Sequence, residues 1–342
     1  MNPYLFIVGC ARSGTTLLQR IINAHSQIAV TPESHWICRL VERGRGLTPE
    51  GVVTPELIPL LLQDLNRRFA RLNIGSQDLL RLLESDRGVR YRSFVSGIFD
   101  LYGKAKGKEL VGNKTPGFVR KIPTLQRLWP EARVVHLIRD GRDVCLSMIN
   151  RPLNHVNRGP LSTWAQDQVT TAGLWWEWSV QLGRQAGNSL GSGLYYEMRY
   201  ESLVAQPAEE CTALCAFLGV PFEEEMLRFH EGRKRNTPSD AKHAWLPSAG
   251  DESEFRLRPI TAGLRDWRSQ MSHADVEKFE AAAGELLDEL GYPRAVPRLQ
   301  SERLKDASRI RELLALDSRA RATPGQRRAF PQAKESCSNG NA

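Results

Sequence analysis

The stretch Leu5-Phe6-Ile7-Val8-Gly9-Cys10-Ala11-Arg12-Ser13-Gly14-Thr15-Thr16-Leu17-Leu18 constrains this chain more than any other part of it. Four apolar residues with no polar interruption read as a strand buried on both faces. They run into Gly9, a second glycine follows at Gly14, and Leu17, Leu18, Ile21 and Ile22 then recur at helical spacing, predicting a helix over 15–25. A strand, a tight turn and a helix start in this order aim the helix's first N–H groups, which have no intrahelical partner, at the turn. Such a turn cradles a phosphate-like anion. The spacing approaches G-x-x-x-x-G-K-[ST], but Thr15 stands where that pattern has lysine, and the cation of the loop is Arg12. Triphosphate cleavage relies on that lysine and on a Mg²⁺ ligand. The loop therefore suits a diphosphate-like group and lacks the usual equipment for γ-phosphate transfer.

Strands and helices alternate through most of the sequence. Short strands are expected at 28–30, 110–113, 133–138 and 194–198, and helices at 54–73, 77–85, 92–104, 117–129, from 144, 169–187, 207–218 and 273–290. Alternation of this kind favours a parallel sheet covered on both faces, with ligands bound beyond the carboxyl ends of the strands. Arg12, Glu33, Lys114 and Arg139 all fall just after expected strands, so four strand ends can bring four polar residues to one crevice. The helical stretch 37–108 interrupts the alternation and reads as a cap over that crevice. Residues 302–318 read as an amphipathic helix, and the tail beyond, rich in Pro, Gly, Ser and Asn, reads as disordered. The expected division is one domain over 1–295 and a basic C-terminal helix and tail over 296–342.

A second element, Val134–Ile149, reads VVHLIRDGRDVCLSMI. An arginine at a strand end and a serine eight residues on, along the next helix, can hold a phosphate from two sides. Read alone, R-D-G-R-D is equally a charged turn closed by its own ion pairs. Together with R-S-G-T-T-L in the first loop, this element resembles the sulfotransferases that use 3′-phosphoadenosine 5′-phosphosulfate (PAPS), and in particular their tyrosylprotein-type and related bacterial branch. The resemblance covers roughly residues 5–292 and is strongest at 5–36 and 110–149.

The resemblance implies an α/β fold: a P-loop-like three-layer arrangement of a central parallel sheet flanked by helices. It assigns Arg12, Ser13, Gly14, Thr15, Thr16 and Leu17 to the 5′-phosphosulfate, and Arg139 and Ser147 to the 3′-phosphate. Lys114, in Gly112-Asn113-Lys114-Thr115-Pro116, would neutralise charge on the oxygen between sulfur and the departing phosphate. Glu33, in Thr31-Pro32-Glu33-Ser34-His35-Trp36, would take the acceptor's proton, with His35 two residues away as the rival base. Tyr200 and Arg265 are further cofactor candidates; the familiar lysine and second glycine of the late G-x-W loop are missing from Gly263-Leu264-Arg265-Asp266-Trp267. The implied activity is in-line transfer of a sulfuryl group from PAPS to a hydroxyl, or an amine, without a metal. A P-loop-related kinase or nucleotidase with a degenerate loop, and a non-catalytic nucleotide-binding protein, stay open as alternatives.

Composition bounds the partners. The sequence is 41% hydrophobic and 25% charged, as in ordinary globular proteins. Its formal charge is +8, and 301–342 carries nine Lys/Arg against five Asp/Glu, so the rest of the chain is only modestly basic. That suits a polyanionic small ligand and not a nucleic-acid-binding module. The six cysteines form no C-x-x-C pair, which argues against a zinc site or disulfide framework. No run of about 18 apolar residues predicts a membrane span, and no leader is evident, so the expected location is cytoplasmic. The acceptor (small molecule, glycan, lipid or peptide) and the oligomeric state are not encoded in any recognisable motif.

Overall fold

The computed structural model describes residues 3–64, 72–84, 88–150, 163–231, 260 and 266–321. Strand β1 (Leu5–Val8) is buried throughout, and its side chains alternate between two cores. Phe6 and Val8 face Trp36, Phe94, Phe99, Phe118 and Trp129, whereas Leu5 and Ile7 face Leu18, Ile21, Ile22, Val135, Leu137 and Met198. A strand with an apolar layer on each side has no solvent face to mark, which is why its sequence shows no alternation.

In chain order, β1 is followed by α1 (Thr15–Ala24), β2 (Ile28–Thr31), α2 (Trp36–Arg43), α3 (Leu57–Asp64), α4 (Ser76–Arg81), α5 (Tyr91–Lys106) and β3 (Leu110–Lys114). A 3-10 turn (Pro116–Arg120), α6 (Ile122–Leu128), β4 (Arg133–Ile138), α7 (Gly141–Ile149), α8 (Gln168–Leu190), β5 (Tyr195–Arg199), α9 (Tyr200–Ala205) and α10 (Pro207–Leu218) come next. A short 3-10 turn (Glu224–Met226) and the helices Trp267–Gln270, His273–Glu289 and Ser301–Arg321 complete the described residues. The sheet order is β2-β3-β1-β4-β5 and every pairing is parallel. From β1 the chain builds first to one side (β2, β3) and then to the other (β4, β5), so β1 ends at the topological switch point, where open α/β sheets bind ligands.

Most expected elements form, with four informative differences. The stretch 117–129 is a 3-10 turn and then a helix, because Lys121 leaves the helical region at φ −124°. Helix α7 starts at Gly141 and not near 144, since the Asp140 carboxylate caps it by accepting from the Arg142 N–H. Helix α9 forms between β5 and α10, where the periodicity predicts no helix. Of the helix expected over 54–73, Leu57–Asp64 forms, and residues 65–71 lie outside the described residues. Within 37–108, α5 packs its apolar face (Tyr91, Phe94, Val95, Ile98, Phe99) against β2 and β3 and so belongs to the layer covering the sheet.

The chain divides into two compact units, each made of two stretches: Met1–Ile138 with Gly183–Ala262, and Arg139–Leu182 with Gly263–Ala342. The first contains the whole sheet. In the second, Ser301–Arg321 packs along His273–Glu289, where Arg311 bonds Glu177 at 2.5 Å and the Ala282 carbonyl at 2.8 Å. No described helix is long and apolar enough to cross a membrane.

Candidate active site

Within the first unit, the loop after β1 is shaped by close backbone approaches. A Cβ at Gly9 would lie 2.5 Å from the Leu137 carbonyl oxygen, so a side chain there would push into β4. The Gly9 N–H donates to the Pro116 carbonyl at 3.1 Å, tying the loop to the end of β3. Gly14 sits at φ 96°, and a Cβ on it would meet the Tyr200 ring at 2.5 and 2.6 Å. Arg12 adopts φ 79°, a left-handed conformation that costs a non-glycine residue about 1–2 kcal/mol. Strain of this kind collects at ligand-binding loops. No side chain caps α1, whose first residues are Thr15, buried, and Thr16, exposed. The Ser13 N–H closes a turn onto the Cys10 carbonyl at 3.2 Å, so what Ser13 offers a ligand is its hydroxyl, which is buried with no hydrogen-bond partner.

The strand-end residues Glu33 and Lys114 come together beside this loop. Register places Ile7 opposite Lys114 and Thr31 opposite Asn113, so β1, β2 and β3 end at one level. Lys114 Nζ donates to Glu33 Oε1 at 3.0 Å and to Thr16 Oγ1 at 3.3 Å, and its side chain is 6% exposed. His35 Nε2 lies 3.3 Å from Glu33 Oε2. Burial works against the Glu33 charge, but the hydrogen bond with His35 and the Lys114 ammonium outweigh it and hold the carboxyl well below the ordinary carboxylate range.

A buried polar network sets this pairing, and sequence reasoning missed it. The Asn113 amide donates to Thr31 Oγ1 at 2.8 Å and to the Pro32 carbonyl at 3.0 Å; Thr115 Oγ1 donates to Asn113 Oδ1 and accepts the Ser34 N–H, both at 2.8 Å. The turn that carries Glu33 is thereby fixed to the strand that carries Lys114. The signal was present as uninterrupted polar residues, Asn113-Lys114-Thr115, at the end of a buried strand. Polar groups there are retained when they are fully bonded.

In the second unit, the Arg139–Asp143 turn is built from its own ion pairs. Arg142 is wholly buried: it grips Asp140 through Nε (3.0 Å) and Nη2 (2.8 Å), bonds Glu280 at 2.8 Å, and stacks 3.8 Å over the Trp267 ring. Trp267 in turn donates from Nε1 to Asp140 and from its backbone N–H to Asp143. Arg139, buried like its predicted companion Ser147, bonds Asp143 at 3.0 Å, while the Arg139 carbonyl accepts from Trp176 Nε1. The charged-turn reading of R-D-G-R-D thus describes both arginines: Arg142 pairs with Asp140 and Glu280, and Arg139 pairs with Asp143. Arg139 is the arginine that directly follows β4. Arg265 lies outside the described residues.

Residues 3–224 match the sulfotransferase family. The chain belongs to this family. It is 24% identical over 300 residues to a protein-tyrosine sulfotransferase of Drosophila melanogaster, covering 86% of this chain and 53% of that protein. It is likewise 24% identical over 299 residues to protein-tyrosine sulfotransferase 1 of Danio rerio, covering 86% and 74%. Among solved structures, the sulfotransferase domain of the Synechococcus olefin synthase superposes with a TM-score of 0.55 at 22% identity, over 85% of this chain and 95% of that domain; this likeness concerns the fold. The chain spans about half the length of the Drosophila relative.

For a PAPS-dependent sulfotransferase the loop has suitable features. The Ser13 hydroxyl is buried and unpartnered, the start of α1 carries no side-chain cap, and Lys114 stands against Thr16. N–H dipoles, hydroxyls and a cation of this kind are what an anionic group such as a phosphosulfate requires. Tyr200, read from the sequence as a cofactor candidate, is in van der Waals range of Gly14 and buttresses the loop.

Proposed function

We propose that this sulfotransferase uses PAPS as donor and sulfates a hydroxyl of its acceptor, with Glu33 as base. The observation that carries the reading is the chain of contacts Thr16–Lys114–Glu33–His35, which joins an anion-binding helix start to a carboxylate through one buried ammonium. The donor supplies an activated sulfuryl group. Arg12, Ser13 to Leu17 and the start of α1 hold its 5′-phosphosulfate. Arg139 and Ser147, by the family resemblance, take its 3′-phosphate. Glu33 accepts the proton as the acceptor oxygen bonds to sulfur. Lys114 and Arg12 meet the charge that grows on the sulfuryl oxygens and on the oxygen that leaves with the phosphate, which keeps the electron pair of the broken S–O bond. The protein-tyrosine sulfotransferases among the relatives make a peptide tyrosine the first acceptor to try.

The test is transfer of radiolabel from [³⁵S]PAPS to a panel of tyrosine peptides, phenols, glycans and lipids, with an extract of the source cells as a further arm. Labelled product formed with the wild-type protein and lost with Lys114→Ala supports the reading. Binding of adenosine 3′,5′-bisphosphate with no transfer to any acceptor would favour a non-catalytic nucleotide-binding protein. Turnover of ATP with Mg²⁺ would favour the kinase or nucleotidase alternative.

A further inference from the structure

Lys114 bonds two oxygens of different character. One is the neutral hydroxyl of Thr16 in the first turn of α1; the other is the charged carboxylate of Glu33. The lysine side chain is almost fully buried, and a buried ammonium without a counter-charge is costly. Glu33 supplies that counter-charge, at 3.0 Å. The Thr16 side of the same ammonium faces the helix end where an anion is favoured.

We propose that Glu33 has a second role besides that of base: in the nucleotide-free enzyme it stands in for the donor's anionic group on Lys114, and donor binding draws Lys114 away from it. The inference rests on the donor reading given above. A phosphosulfate at the start of α1 places a second anion beside one ammonium, so carboxylate and ligand compete for it. Lys114 from β3 and the His35 imidazole from its own turn both face Glu33. When Lys114 turns to the donor, Glu33 keeps its hydrogen bond with His35 but loses the ammonium at 3.0 Å, and it becomes the stronger base at the moment a donor is present. Acceptor activation is then coupled to donor arrival. Linkage is reciprocal: a donor that raises the proton affinity of Glu33 must itself bind better when Glu33 carries no charge.

The experiment needs no acceptor. The Kd of adenosine 3′,5′-bisphosphate is measured by calorimetry at neutral pH for wild type, Glu33→Gln, Lys114→Ala and the double variant, each checked for folding by circular dichroism. Lys114→Met, which keeps the buried stem, replaces the alanine variant if that does not fold. Glu33→Gln should bind the nucleotide about fivefold more tightly than wild type, the equivalent of ~1 kcal/mol. The same substitution should change affinity less than about twofold once Lys114 is gone, since then nothing is competed for. An equal gain in both backgrounds would reduce the effect to general repulsion between Glu33 and the ligand and overturn the proposal. So would no gain, or a loss, with Lys114 present. If Lys114→Ala leaves affinity unchanged, the donor reading of Lys114 fails first, and the second role of Glu33 fails with it.

Discussion

Gly14→Ala adds a single methyl group, and the structure gives two separate reasons for it to be harmful. The backbone at Gly14 has φ 96°, a conformation that costs an alanine about 1–2 kcal/mol. The new Cβ would also lie 2.5 Å from Tyr200 Cδ2 and 2.6 Å from Cε2. Tyr200 begins α9 and is half-buried, so its ring can shift only by leaving the surface it packs on; overpacking of this sort costs roughly 1–3 kcal/mol. The sum, about 2–5 kcal/mol, is a large share of the ~5–15 kcal/mol stability of a typical domain. Because the strain is in the loop proposed to hold the donor, nucleotide affinity should fall as well. The assay is a double-mutant cycle with Tyr200→Ala, read by urea midpoint and by calorimetric affinity for adenosine 3′,5′-bisphosphate. Removing the ring should recover the steric part and leave the backbone part, a coupling of about 1–3 kcal/mol. If Gly14→Ala costs the same with and without the ring, the contact is not what limits the site. If it costs nothing in either background, the account of the loop is wrong.

Three further outcomes are expected. Lys114→Ala and Arg12→Ala should each lower turnover by roughly 10²-fold or more, as loss of an oxyanion donor does; wild-type-like rates in both would remove them from the chemistry. Glu33→Gln should abolish transfer, and His35→Ala should leave most of it; a dead histidine variant beside an active glutamine variant reverses the choice of base. His136, on β4, is fully buried, and burial, with Arg184 and Arg199 nearby, pushes its pKa down to about 3. The unfolded chain therefore binds a proton at His136 below pH ~6.5 that the folded chain refuses until about pH 3. This group's contribution falls as the pH drops through that window, by about 1.4 kcal/mol per unit. Urea midpoints against pH should fall less steeply for His136→Gln; an unchanged slope would show that His136 is not buried neutral.

Much of the proposed donor loop is legible in the linear chain because its parts are local. A buried strand, two glycines and an uncapped helix start lie within fourteen consecutive residues, Leu5–Leu18, and their chemistry follows from backbone geometry that short-range sterics dictate. Strand β4 was equally plain, since five of its six residues are buried on a covered sheet and all but Arg133 and His136 are apolar. The start of α7 was misplaced because its N-cap, Asp140, sits in a cluster of charges that looks the same whether it caps a helix or pairs with arginines; it does both. Helix α9 was missed because six residues are too few for the apolar period to declare itself.

What the sequence by itself determined was the strand–turn–helix loop at 5–18, the parallel character of the sheet and the likeness to the sulfotransferase family. Tertiary structure alone decided which of these groups meet. Glu33 and Lys114 are 81 residues apart and come within 3.0 Å because β3 inserts between β2 and β1 and the Asn113–Thr31–Thr115 bonds lock the turn in place. Likewise Tyr200 and Gly14 touch across the sheet's connections without any pattern that links them in sequence. Periodicity reports the environment along one element, whereas strand order and buried hydrogen bonds set the distances between elements, and it is those distances that bring a lysine and a glutamate together as a candidate site.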